Sequence, residues 1–324
     1  MKHVKSNVRG THKHGYAVLN AYHYMLEVAN PGSKTTLPLD ENGRFKYFFV
    51  SYATWITGFQ EMRKVIAVDG TFLRSKYEGV LLSAVAQDAE NHIFPVAFCV
   101  VDKECDASYE YFFQIMRSFV DELCIIYDKH PSIRKMVSAI YYVSHYGCCM
   151  RHLGENIRNN FHNSKAAETL ERIGFHTWNW AFYPRNRYNI MTSNIAESVN
   201  SMFDVEREFP IVALFDEINR RFALLFHQRR MELVNSANRF VPSIEKYISK
   251  YVNAGNKFLA LKSLTASSAS LVMVMLLLAM AALRSQYGAD FGNQIYEYSS
   301  LYYSVEKYRM TYCEEIHPVP HEDS

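Results

Sequence analysis

The 324-residue chain carries 35 Lys and Arg against 33 Asp and Glu, so its formal charge of +2 excludes a chain-wide basic surface. Any affinity for nucleic acid must come from local patches. Hydrophobic residues at 49% and charged residues at 21% exclude a disordered chain and supply enough apolar material for a large core. The cysteines at 99, 105, 124, 148, 149 and 313 show no framework spacing, which predicts a reducing compartment. The opening MKHVKSNVRGTHKHGY is basic and lacks the apolar run of a signal peptide.

In chain order, Tyr16–Val28 repeats apolar residues at helical spacing, and Asn30-Pro31-Gly32 stops that helix. Two strand-like runs lie around Asn42-Gly43, a pair suited to the positive backbone angles of a tight hairpin. A short connection, TWITGFQEM, leads to a buried strand at Val65–Val68 that ends at Asp69-Gly70-Thr71-Phe72. Gly79–Gln87 and Ile93–Val101 are apolar strands joined by the polar stretch Asp88–His92. Tyr109–Leu123 returns to helical spacing, and Cys124–Tyr127 is a short buried strand ending at Asp128. Pro131–Ile140 reads as a helix with proline in its first turn. Tyr141–Cys149 supplies a fifth strand of this stretch, and Leu153–Phe161 a further helix.

Three hairpin-connected strands followed by alternating helices and strands predict an α/β protein: a mixed sheet with helices packed on it. The ribonuclease-H-like fold has this order of elements. Beyond Phe161 the pattern is mostly helical to about residue 260. Three regions are expected: 1–60, with the N-terminal helix and hairpin; 61–205, a ribonuclease-H-like unit with a helical insert; and 206–324, mainly helical.

Asp69 and Asp128 each follow a short apolar strand directly. In open sheets with helical crossovers, ligands collect at the carboxyl ends of strands. Two aspartates there, with one more acid, make a hard oxygen site for Mg²⁺ or Mn²⁺, and two such ions can stabilise both oxygens of a phosphoryl displacement. The plainer reading is that Asp69-Gly70 is a turn and Asp128 starts the next helix. Asp88, Asp102 and Asp106 also lie near strand ends, so position along the chain does not single out the pair. Glu197 lies three residues after Asn194, the offset of a capping box, so capping competes with a role at the metal site.

Cys149 and His152 are possible ligands, yet a structural zinc site needs a second pair and none is evident, so zinc is not expected. A packing or substrate-facing role is the preferred reading of this pair. Arg220, Arg221, Arg229 and Arg230 give the apolar segment Ile211–Leu233 a basic outer face. Such a face is ordinarily just solvated; beside an acidic site it could contact DNA phosphates.

Longer phrases carry a resemblance. KVIAVDGTFLRSKYEGVLLSAVAQDAENHIFPVAFCVVDKECDASYEYFF is similar to the start of a MULE transposase domain of the Mutator-like family, with its DGTF strand, AQD…N…PVAF hairpin and acid-rich turn before an aromatic helix. CIIYDKHPSI resembles the family's second acidic motif, with Tyr127 and Lys129 in place of the usual Ser and Arg around Asp128. GCCMRHL matches a Cys-x-x-His stretch at Cys149 and His152, and RYNIMTSNIAESVNSMF matches the third motif and places Glu197. The likeness runs from about Tyr16 to about Val252 and returns at Tyr303–Arg309.

The resemblance implies a triad of Asp69, Asp128 and Glu197 that binds Mg²⁺ or Mn²⁺ and cuts and joins DNA, with transposon ends and target DNA as partners and the nucleus as location. It leaves a homo-oligomer open. Two departures are expected to limit autonomous transposition: no region for reading transposon ends precedes the matched stretch, and the family's SWIM zinc finger is missing. In the finger's place sits the apolar run Leu271–Leu283. That run is well short of the roughly 20 residues of a membrane span, so a buried helix or a flawed gene model is preferred over a membrane protein. The alternative function is a domesticated DNA- or protein-binding regulatory module without catalysis.

Overall fold

The computed structural model describes residues 2–76, 78–127, 130–141, 145–160, 168, 170–171, 173–174, 190, 192–250 and 300–320. Asp128, the second of the matched acids, and the apolar run 271–283 lie outside the described residues.

Helix α1 spans Lys2–Ala29, starting earlier than the amphipathic pattern, and buries Leu19, Tyr22 and Leu26 along one stripe. It ends as expected at Asn30-Pro31-Gly32, where Gly32 takes a φ of 86°. Strands β1 (Lys34–Thr36) and β2 (Phe48–Ser51) pair antiparallel. The turn between them is built around Asn42-Gly43. Asp40 accepts from the Asn42 and Arg44 amides through one carboxylate oxygen, and Gly43 has a φ of 70°. The connection after β2 is itself a helix, α2 (Ala53–Gln60), which buries Thr54, Trp55, Gly58 and Phe59. Its apolar face was hidden in a segment too short for periodicity to show.

Strands β3 (Val65–Phe72), β4 (Val80–Gln87) and β5 (Ile93–Val101) form an antiparallel meander. Helix α3 (Asp106–Arg117), strand β6 (Cys124–Tyr127), helix α4 (Pro131–Ile140), strand β7 (His145–Cys148) and helix α5 (Met150–Asn160) then alternate. Both β6 and β7 run parallel to β3, because each is reached through a helix that crosses the sheet. The sheet order is β1-β2-β5-β4-β3-β6-β7. Its last five strands, three antiparallel and two added in parallel beyond β3, have the ribonuclease-H-like arrangement, and β1 and β2 extend the sheet past β5.

Helices cover both faces. Phe49 of β2 meets Phe112 of α3 at 5.7 Å between ring centroids. On the other face are α6 (Asn194–Met202), α7 (Ile211–Glu232), α1 and α2. There Phe98 of β5 packs against Trp55 and Phe222, and Phe48 against Tyr22 and Phe215. A short helix, α8 (Val305–Thr311), closes over α2 so tightly that a methyl group on Gly58 would lie 2.3 Å from the Thr311 carbonyl oxygen. Among the described residues the main buried core runs from Leu19 to Val319, and Val65, Cys124, Ile126 and Ile190 form a second, smaller cluster. Among the described residues no helix is long and apolar enough to cross a membrane.

Candidate active site at the carboxyl edge of the sheet

The parallel ladder between β3 and β6 ends at the pair Val68–Tyr127, and Asp69 is the next residue of β3. The chain does not turn at Asp69-Gly70, as the plainer reading had it. Strand β3 continues to Phe72, with Asp69 opposite Ser83 of β4, and Gly70 has no positive φ. Gly70 serves close approach instead: a methyl group there would lie 2.2 Å from Oε1 of Glu104. Glu104 thus rests against the strand backbone beside Asp69 and accepts a 2.5 Å hydrogen bond from the Tyr109 hydroxyl. Sequence reasoning passed over Glu104 because nothing local distinguishes it from other loop acids.

The Asp69 side chain faces α6. Its Oδ2 accepts a 2.8 Å hydrogen bond from Nδ2 of Asn200, a residue 8% exposed. A carboxylate only accepts, which fixes the orientation of the amide. The hydroxyl of Ser83, wholly buried, lies 3.5 Å from Oδ1 of Asn200 and 3.3 Å from the Asp69 carbonyl oxygen. Asn200 therefore joins α6 to two adjacent strands. It is three residues after Glu197, so both side chains project from one face of the helix. In the sequence, only this helix spacing points to Asn200.

Glu197 is not consumed by capping. Ser193 is the N-cap of α6 without a side-chain cap hydrogen bond, and its amide donates to Sγ of Cys149 at 3.3 Å. The Glu197 carboxylate instead forms an ion pair with Arg151, and its Oε1 lies 3.4 Å from both Nε2 of His152 and Oγ of Ser193. Arg151 also donates from Nε to Oδ1 of Asn194 at 3.0 Å. The amide of Cys149 donates to the carbonyl of Tyr127, the residue before Asp128, at 3.0 Å. The turn of Cys149–His152 therefore sits at the end of β6 and β7 and grips the start of the helix that bears Glu197.

Of the remaining acids, Asp88 is set apart by position, and Asp102 and Asp106 are engaged by other partners. Asp88 is buried at the opposite end of β4, where it shapes the β4–β5 turn by accepting from the Glu90 and His92 amides. Asp106 pairs with Lys135, and Asp102 accepts from the Lys103 amide. The sheet brings Asp69 and the helix of Glu197 together and leaves Asp88 at the far pole.

The four arginines of α7 are engaged internally. Arg220 pairs with Glu217; Arg221 pairs with Glu206 and Glu217 and donates to the Met202 carbonyl at the end of α6. Arg229 lies 3.9 Å from Glu232, and Arg230 pairs with Glu315 and donates to the Tyr312 carbonyl. Arg220, 59% exposed, is the most accessible of the four. Hydrogen bonds from Arg220 and then Arg221 hold the Glu217 carboxyl down to about 2.

Asp69 and Glu197 offer oxygen donors, the chemistry that Mg²⁺ and Mn²⁺ take. Among the described residues no group of three or more His, Cys, Asp or Glu forms a cage for a metal, and the described part holds two of the three matched acids.

Residues 65–156 match the family model described as the MULE transposase domain. That span contains Asp69, Asp128, Cys149 and His152 and stops before Glu197. No curated protein matches the chain. The family match coincides with the strands and helices from β3 to α5, and it supports a MULE transposase domain of the Mutator-like family over this stretch of the chain.

Proposed function

We propose that this chain is a DDE-type transposase core, in which Asp69, Asp128 and Glu197 hold Mg²⁺ or Mn²⁺ for cleavage and strand transfer on DNA in the nucleus. The observation that carries this reading is the 2.8 Å bond from Asn200 to Asp69, which docks the helix bearing Glu197 onto the strand bearing Asp69. A buried amide spent on the orientation of one carboxylate is hard to explain by packing alone, since an apolar residue would fill the same space without needing a partner.

Bound ions would supply a polarised phosphate and charge stabilisation for the attacking and leaving oxygens. The chain's own part is placement. Asp69 is anchored in a strand whose neighbours on both sides are paired, and Asn200 fixes the direction of its carboxylate. Glu197 enters from a separate helix held by Arg151 and Ser193. In the cleavage step water breaks a phosphodiester to leave a 3′ hydroxyl and a 5′ phosphate; in the joining step that hydroxyl attacks a target phosphodiester, whose own 3′ hydroxyl leaves as the new phosphodiester forms.

The test is nicking of supercoiled plasmid by the purified chain with Mn²⁺. Wild type is expected to relax the plasmid, and Asp69→Ala and Glu197→Gln to lose at least about 100-fold of that rate, as expected for groups acting in the transition state. Wild-type protein that binds DNA and never cuts it would instead support a regulatory binding module.

A further inference from the structure

Three contacts converge on one oxygen of Glu197. Arg151 and Ser193 donate to Oε1, and Nε2 of His152 lies 3.4 Å from it while accepting from Arg151 at 2.9 Å; Oε2 has no hydrogen-bond partner among the described residues. Arg151 is braced in turn from both helices that meet here. Its Nε donates to Asn194 in the first turn of α6, and its Nη1 to Oε1 of Glu155 one turn further along α5 at 3.3 Å. The Ser193 amide bound to Cys149 ties the same two helices together.

We propose that Arg151 is a positioning residue, which holds Glu197 by Oε1 and presents Oε2 to the divalent cation. On this view the turn of Cys149–His152 is a platform for the third acid. The inference rests on the reading of Asp69, Asp128 and Glu197 as metal carboxylates.

The physical case turns on two opposing effects. A guanidinium beside a metal site repels the cation, which alone makes Arg151 a liability. Against this, a glutamate side chain is flexible, and ordering it costs entropy that a preformed clamp has already met. Partners that orient metal-binding carboxylates are worth about 10- to 100-fold in metal affinity. The planar fork of arginine suits a two-sided brace between Glu197 and Asn194, whereas lysine keeps the charge without the fork. The two effects predict opposite signs, so removal of Arg151 distinguishes them.

The experiment titrates the full-length chain with Mn²⁺ alone and follows free Mn²⁺ by electron paramagnetic resonance, with melting temperature recorded in parallel. Arg151→Ala is expected to weaken Mn²⁺ binding about 10-fold or more, with Arg151→Lys in between and the metal-free melting temperatures close to wild type. Arg151→Ala binding as tightly as wild type, or more tightly, while Asp69→Ala loses binding, overturns the proposal and leaves the metal site standing. Wild-type binding that does not depend on Asp69 overturns both. Should Arg151→Ala fail to fold, Arg151→Lys decides: weakened binding supports the positioning role and unchanged binding overturns it.

Discussion

Asn200 is the residue on which the site's geometry depends most directly. It is buried, it donates to Asp69, and its oxygen lies within reach of Ser83. Replacing it with alanine removes the donor that orients Asp69 and leaves Ser83 with one fewer acceptor. The expected result is a loss of about 10- to 100-fold in plasmid-nicking kcat, the range for partners of metal-binding carboxylates. KM for DNA should stay near wild type, because Asn200 is too buried to touch the substrate. Steady-state nicking at varied plasmid concentration checks this, and a change confined to KM would place Asn200 in DNA binding instead.

At the scale of elements, α6 is fastened at both ends. Its start is held by the Cys149–His152 turn of α5. Its end is held by Arg221 of α7, which donates to the Met202 carbonyl and pairs with Glu206 in the 3-10 turn Glu206–Glu208. Glu217 keeps Arg221 and Arg220 in place with a carboxyl held down to about 2. A carboxyl with a lowered folded-state value contributes stability that is complete above its unfolded value of about 4.3. That contribution is lost as pH falls toward about 2. In urea denaturation at a series of pH values, wild type should therefore exceed Glu217→Gln in stability at pH 7. The difference should shrink below about pH 4.3 and vanish near the folded-state value. A difference that is flat with pH would show that Glu217 acts through packing alone.

The whole molecule has two poles. The carboxyl edge carries the candidate site, while the opposite end of β4 carries a buried polar lock. Arg63, 1% exposed, donates to the Asp88 carbonyl at 2.6 Å and to the Tyr303 hydroxyl at 3.0 Å. The Tyr312 hydroxyl donates to Oδ2 of Asp88 at 2.8 Å, and its ring packs against Phe226 and Phe94. Arg309 donates to three carbonyls after α7, those of Leu233, Val234 and Ser236. The segment Tyr303–Arg309 thus joins the sheet to the chain that follows α7. Tyr312→Phe leaves a buried carboxylate short of a donor and should cost about 1–3 kcal/mol in chemical denaturation. Mn²⁺ affinity should be unchanged, because the polar lock and the site lie at opposite ends of β4. A shift in affinity as large as that of Arg151→Ala would show that the poles are coupled.

The order of strands and helices from β3 to α5 was legible in the sequence because apolar runs, turn residues and the change of period are local properties. The same holds for the phrases around Asp69 and Asp128, which lie within the stretch that matches the family model. What local pattern could not supply is adjacency. The extended path of β3 through Asp69-Gly70 depends on pairing with β4, and the choice of Asp69 over Asp88 depends on which end of the sheet α6 covers. The helix α2 was missed because its length is below what periodicity resolves, and the arginines of α7 read as a free basic face because their acidic partners lie elsewhere in the chain. Sequence alone determined the types of element and the candidate acids. Tertiary structure alone decided that Asn200 and Arg151 serve two of those acids, because hydrogen bonds between residues 46 and 131 positions apart exist only once the sheet has brought their helices together.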